Sequence, residues 1–209
     1  MPTAEQILQG LGTIANAARP LAIAWHVVLA ATAIALLAGW RPSRRLTGSL
    51  LALPLISVAA LARSYGNPFN VLVVGVVAVL LLILAQRLGG EPVSRSAGWA
   101  WWVGLVLVAF GWVYPHFLED SAPWAYLYAA PFGLVPCPTF SAVTGFALMA
   151  GGLRSRAWSG VLTVGGIFYG LFGALRLGVR IDAVLIGGAV ALGAVAWLNA
   201  QRDVSEGGA

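Results

Sequence analysis

The stretch VPCPTF at 135–140 places the only cysteine of the chain, Cys137, between two prolines. Proline is well accommodated at the first position of a helix, so Pro138 predicts a helix start with Cys137 as its cap. The free amides of a helix start attract anions, and a thiol there can bind a metal or a solute. The alternative is that Cys137 is a small apolar filler at a tight turn.

Two histidines and an acid supply the other groups suited to metal binding. His26 lies in a long apolar block, while His116 and Glu119 have the i, i+3 spacing that would put both side chains on one face if the helix continued past Pro115. Imidazole, carboxylate and thiolate suit a transition metal, so His26, His116, Glu119 and Cys137 are candidate metal ligands. His26 and His116 are also candidate haem ligands. The alternatives are a hydrogen-bonded core histidine and solvated groups at an interface.

Polar residues beside the apolar blocks are candidates for binding a solute. They are Cys137, Arg63, Arg176, Asn67 and Tyr114. In this interpretation Arg63 and Arg176 balance the charge of the solute. The alternative for both arginines is an anchoring role, in which the long side chain reaches lipid headgroups at the membrane interface.

The composition indicates where these residues work. Of 209 residues, 60% are hydrophobic and 9% are charged, whereas soluble domains carry about 25% charged residues. The chain is therefore predicted to be an integral membrane protein with the lipid bilayer as its partner. The net charge of +5 comes from arginines alone, and the absence of lysine excludes a retinal Schiff base. No basic run alternates with aromatics, so no nucleic acid is expected as a partner.

Because a charge at the bilayer centre is costly, the charged residues divide the chain into spans. The expected fold is all-α, a polytopic membrane helix bundle of about seven transmembrane helices in a single domain, 1–209. The predicted spans are 20–40, 46–62, 66–86, 97–117, 121–153, 157–175 and 183–201. Residues 1–18 precede them as an interfacial helix.

The fifth span is predicted to be broken or re-entrant. It has 33 uncharged residues and four prolines, so it cannot form one straight helix, and we place the break at 136–138. Non-helical backbone at this depth is tolerated only against protein or a wet cavity. This favours a polar cavity at one end of the bundle.

The arginines also predict the orientation. With the amino terminus outside and the carboxyl terminus inside, eight arginines lie on the inner side and four on the outer side. This arrangement agrees with the preference of cationic residues for the cytoplasmic side. His26, His116 and the polar cavity are then expected at the outer side.

Four stretches of the chain resemble the DUF6064 family of small bacterial polytopic membrane proteins. They are YGNPFNVLVVG (65–75), WVYPHFLED (112–120), APFGLVPCPTFSAVTGFALM (130–149) and LRLGVRIDAVLIGGAV (175–190). In that family an asparagine-proline pair opens one span, here Asn67 and Pro68, and an FGxxPCPT segment precedes another, here 132–139. The resemblance implies a multi-pass protein of the bacterial cytoplasmic (inner) membrane. It supports the importance of the cysteine turn and implies no activity.

Three functions are left open by these patterns. The first is binding or transport of a small solute or ion in the outer-facing cavity. The second is a redox subunit that binds a transition metal or haem. The third is an accessory subunit that packs against a membrane-complex partner or another copy of itself. No enzymatic activity is predicted, because no phosphate loop, nucleophile elbow, zinc-protease helix or dinucleotide fingerprint occurs.

Overall fold

A computed structural model describes residues 3–96, 98–119 and 122–207 of the chain. Positions 1 and 2 of the predicted interfacial helix lie outside the described residues, as do the first positions of spans 97–117 and 121–153. The described α-helices are α1 (Ala4–Ala17), α2 (Arg19–Leu37), α3 (Arg44–Ser64), α4 (Pro68–Gln86), α5 (Trp99–Val113), α6 (Tyr126–Ala129), α7 (Pro136–Met149), α8 (Arg156–Leu171) and α9 (Ala183–Gly207).

Five helices are long and apolar enough to cross a membrane. They are Arg19–Leu37, Arg44–Ser64, Pro68–Gln86, Arg156–Arg176 and Arg180–Gln201. The helix α5 is also apolar but has only 15 residues. The described residues form no β-strand, so the all-α prediction is confirmed. These helices fit a multi-pass membrane protein, while the count of seven stays a prediction.

The surface of the bundle is apolar and its interior contains polar groups. Leu37 of α2 is 88% exposed, and Leu72 of α4 and Val164 of α8 point outward in the same way. By contrast, His26 and Asp182 are among the seven buried polar or charged residues in the part of the chain that the structure describes. Lipid tails solvate such a surface, whereas water would not, so this distribution suits a bilayer.

The amino-terminal helix α1 packs on one end of the bundle. Thr3 caps it, and Oε1 of Gln6 accepts a hydrogen bond from the backbone N–H of Thr3. The Asn16 amide donates to the carbonyl of Phe117 at 2.8 Å and accepts from the backbone N–H of Glu119. The helix is thus tied to the segment that follows α5, and its place at the membrane interface stays a prediction.

Two loops pair at the start of α3 and the end of α4. The backbone N–H of Arg44 donates to the Glu91 carbonyl, and that of Val93 donates to the Pro42 carbonyl, both at 2.9 Å. The side chains of Arg44 and Glu91 form an ion pair, and this guanidinium lowers the pKa of the Glu91 carboxyl group. These contacts hold α3 and α4 together as a hairpin.

The segment between α5 and α8 is not one continuous helix. It contains a 3-10 turn at Pro123–Ala125, the short α6, a turn over 130–135 and then the buried α7. With 14 residues, α7 is about 21 Å long and is too short for the ~30 Å hydrocarbon core. The segment is interrupted, but the turn lies over 130–135, and the predicted break at 136–138 falls inside α7. Re-entry into the membrane stays a prediction.

The start of α7 differs from the prediction. Val135 is the cap, Pro136 is the first helical residue, and Cys137 lies second and not at the cap. Both prolines fit because the first four N–H groups of a helix have no partner within it. Because proline has no amide hydrogen, Cys137 is the only one of the residues 136–138 that has one. The helix start therefore offers fewer free donors to an anion than expected.

Three glycines bring α5 and α7 into direct backbone contact. A Cβ atom added to Gly104 would lie 2.6 Å from the carbonyl oxygen of Gly145, and one added to Gly145 would lie 2.5 Å from that of Gly104. At Gly111 the same atom would lie 2.5 Å from the carbonyl oxygen of Pro138. The hydroxyl of Ser141 donates across this contact to Leu107 at 2.9 Å. Small residues permit such close approach between membrane helices.

The variant Gly145→Ala is expected to destabilise the protein, since the methyl group must displace backbone of α5. Overpacking of this kind costs about 1–3 kcal/mol. The measurement is the free energy of unfolding in detergent micelles. Gly160→Ala is the matched control in α8, because a Cβ there meets no atom within 4 Å. Equal stability of the two variants would contradict the proposed contact.

Candidate functional site

The structure gathers polar groups around the buried carboxyl group of Asp182, which is 1% exposed. The hydroxyl of Tyr114 donates to its Oδ1 at 2.7 Å. The Cys137 thiol and the His116 ring are both near enough to this carboxyl group to act on its charge. These four residues are called the Asp182 cluster below.

A break between α8 and α9 places Asp182. A π-helical turn at Phe172–Arg176 ends the first helix, and a 3-10 turn at Arg180–Asp182 begins the next. Between them, the backbone N–H of Val179 donates to the Gly173 carbonyl at 2.9 Å. Gly173 is required here because a Cβ atom at this position would collide with Oδ2 of Asp182. The two turns thus place the Asp182 carboxyl group in direct contact with the backbone at Gly173.

The end of α5 places Tyr114 and His116. Pro115 stops the helix, so Tyr114 is its cap and is fully buried. The aromatic rings of Phe110, His116 and Phe117 all lie within 6.4 Å of the Tyr114 ring, centre to centre. His116 and Glu119 would share one helix face only if α5 continued past Pro115, and the chain leaves helical geometry before either residue.

The second residue of α7 supplies the thiol. Cys137 is partly exposed, and its Sγ lies 4.0 Å from the carbonyl oxygen of Tyr169, a weak hydrogen bond at most. The Tyr169 hydroxyl in turn donates to Oδ1 of the buried Asn70 at 3.0 Å. Cys137 therefore contacts the backbone of α8 at the residue whose side chain links α8 to α4.

Helix α1 covers the breaks that form the Asp182 cluster. Its Leu11 and Ile14 belong to one apolar cluster with Leu134 of the turn before α7 and with Leu177 and Val179 of the loop before Asp182. This cluster excludes water from one side of the site. The amino-terminal helix α1 thus packs over the segments that form the Asp182 cluster.

His26 has other partners. It is buried, with Nδ1 at 2.8 Å from the carbonyl oxygen of Ala22 and Nε2 at 2.9 Å from that of Trp112. Both ring nitrogens therefore face carbonyl oxygens, which only accept hydrogen bonds. A metal or haem iron at either nitrogen would have to replace one of these contacts. His26 joins α2 to α5 in this structure.

The predicted metal ligands are not brought together as one set. In the described part of the chain, no three histidine, cysteine, aspartate or glutamate side chains are arranged to hold a metal ion. Glu119 is exposed, and its backbone N–H donates a hydrogen bond to Oδ1 of Asn16. Of the four predicted ligands, Cys137 and His116 lie at the Asp182 cluster. The metal prediction gains no geometric support from these positions.

Two predicted solute-binding residues lie in a different place. Arg63 and Asn67 line one end of an open groove of about 560 Å³ beside α4, to which no residue of the Asp182 cluster contributes. Asn67 caps α4 by accepting the backbone N–H of Asn70 at 3.1 Å. Arg176 is exposed at the end of the π-helical turn. Of the five predicted residues, Tyr114 and Cys137 are the two that meet.

Asp182 is the candidate site residue that the sequence patterns did not single out. An acid two residues after Arg180 and directly before an apolar block looks like a solvated flank of a span. Glu119 and Asp120 also border apolar blocks, so position in the sequence does not distinguish Asp182. Its burial depends on the break after α8, which apolar periodicity does not reveal.

Comparisons with protein-family models, with curated proteins and with solved structures find no match to this chain. The resemblance to the DUF6064 family accordingly stays a prediction. Fold and surface together fit the class of multi-pass, all-α membrane proteins, with polar groups collected at one end of the bundle.

Removing the Tyr114 hydroxyl tests the Asp182 cluster. Tyr114→Phe leaves a buried carboxyl oxygen without its donor, which should cost about 1–3 kcal/mol of unfolding free energy. Tyr65→Phe is the matched control, because Tyr65 is exposed and surface changes stay within about 0.5 kcal/mol. Chemical denaturation in micelles measures both variants. A Tyr114→Phe protein as stable as the control would show that the hydrogen bond contributes little.

Proposed function

We propose that this multi-pass membrane protein binds or transports a small solute or ion at the Asp182 cluster. The exchangeable group in this proposal is the Asp182 carboxyl group, which takes up a proton or a small monovalent cation. The observation that carries the proposal is the burial of this carboxyl group beside a hydroxyl and a thiol at a helix break.

The charge of the carboxyl group supports the first step. An ionised carboxylate in an apolar interior is costly unless another charge or several hydrogen bonds compensate it. The Tyr114 hydroxyl and the Cys137 thiol are both uncharged donors. Uptake of a proton or a small cation completes the compensation, and its release restores the charge. Ionisable groups inside membrane spans commonly serve proton and ion pathways.

The interrupted helices support the second step. The turn before α7 and the break between α8 and α9 meet at the cluster, and both expose backbone that a continuous helix would use internally. Transporters bind ions with unwound carbonyls and helix ends of this kind. With the amino terminus outside, the site faces the outer side, covered by α1.

Ion flux into liposomes tests the proposal. The purified protein is reconstituted around a trapped pH-sensitive dye, and pH, Na⁺ and K⁺ gradients are imposed in turn. Asp182→Asn is expected to lower the protein-dependent flux by at least about tenfold, since it removes the exchangeable charge. The amide oxygen still accepts from Tyr114, so the fold should be kept, and thermal unfolding checks this.

Glu119→Gln is the matched control, because it removes an exposed carboxylate near the same end of the bundle. Its flux should equal that of the wild type. A protein that binds the cation without transporting it would show no flux but would unfold at a higher temperature when the cation is present. Asp182→Asn would abolish this rise in unfolding temperature. The proposal fails if neither flux nor stabilisation depends on Asp182.

A further inference from the structure

We infer that the groove beside α4 is a binding site for an anionic phospholipid, with the phosphate at Arg63 and one acyl chain along the helix. The groove lies apart from the Asp182 cluster and does not depend on the proposed ion site. Arg63, Asn67 and Gly66 line its polar end, and Val71, Leu72 and Val76 begin its apolar part.

The length of the groove matches one lipid leaflet. Its residues on α4 recur in steps of four from Pro68 to Leu80, so they form a stripe along one side of the helix. Twelve helical steps correspond to about 18 Å, close to half of the ~30 Å hydrocarbon core. An acyl chain that starts at the level of Arg63 would therefore follow the groove to about the bilayer centre.

Gly75 opens the middle of this stripe. A Cβ atom added there would meet only the Ala59 side chain, at the ordinary contact distance of 3.8 Å. No packing demand of the hairpin therefore requires glycine at this position. Its lack of a side chain instead leaves space between α3 and α4 that an acyl chain can fill.

The charges at the polar end favour a phosphate. Arg63 is exposed, and its guanidinium forms no ion pair or hydrogen bond with any other residue that the structure describes. None of the lining residues is acidic. The side-chain oxygen of Asn67 is used by the helix cap, so its amide NH₂ group is left to donate. Arginine and amide donors together suit a phosphodiester oxygen.

The experiment measures lipids retained by the protein in native mass spectrometry. The protein is extracted from nanodiscs that contain equal amounts of phosphatidylglycerol and phosphatidylcholine with identical acyl chains. The wild type should retain phosphatidylglycerol preferentially. Arg63→Gln should reduce this preference by about fivefold, since one arginine at an anionic headgroup has that effect. Gly75→Leu, which fills the groove, should lower retention of both lipids.

Matched controls separate this site from general features of a membrane surface. Arg87→Gln removes an exposed arginine at the other end of α4, and Gly187→Leu adds the same bulk on the open face of α9. Neither should change retention. If Gly75→Leu unfolds, Val79→Trp is used in its place. Val79 is exposed on α4 and lines the groove, so a tryptophan there fills it.

Three results would overturn the inference. The first is equal loss of phosphatidylglycerol preference in Arg63→Gln and Arg87→Gln, which would indicate general interfacial attraction. The second is unchanged lipid retention in the groove-filling variants. The third is a wild-type dimer that the groove-filling variants dissociate without loss of lipid, which would show that a second copy occupies the groove.

Discussion

The backbone contact between α5 and α7 is the constraint that places the rest of the site. A lipid bilayer supplies no hydrophobic force between helices, so close packing and interhelical hydrogen bonds hold such a pair together. Gly104 and Gly145 let the two backbones touch, and Gly111 brings the end of α5 against the Pro138 carbonyl. Since Tyr114 follows Gly111 by one helical turn and Cys137 precedes Pro138, the same contact brings the hydroxyl and the thiol to Asp182.

The site lies where several helices stop. Helix α5 ends before Pro115, α7 begins after a turn, and α8 and α9 are separated by the π-helical and 3-10 turns. Inside a membrane, interrupted backbone must be covered by protein. Helix α1 covers one side, and Trp25 of α2 lies against Gly133 in the turn before α7. The two amino-terminal helices therefore protect backbone that the later helices leave exposed.

The helices were more predictable from the sequence than the site. Charges divide the apolar chain because burying them in lipid is costly, and the described long helices lie over the predicted spans. The prolines likewise predict that the segment before α8 is interrupted. The site depends on tertiary contacts that leave no local sequence pattern. Both ring nitrogens of His26 face backbone carbonyls, and Arg63 lines a separate groove. Asp182 is buried by a helix break that follows an uninterrupted apolar block.

The central position of α7 has a consequence for how the protein is made. This helix is short, starts with two prolines among its first three residues and buries the hydroxyls of Thr139, Ser141 and Thr144. A helix of 14 residues is too short to cross the hydrocarbon core alone, so it does not form an independent span in lipid. It becomes stable only against α5, which is already made, and against α8 and α9, which are synthesised after it. Assembly around α7 must therefore wait for the carboxyl-terminal hairpin.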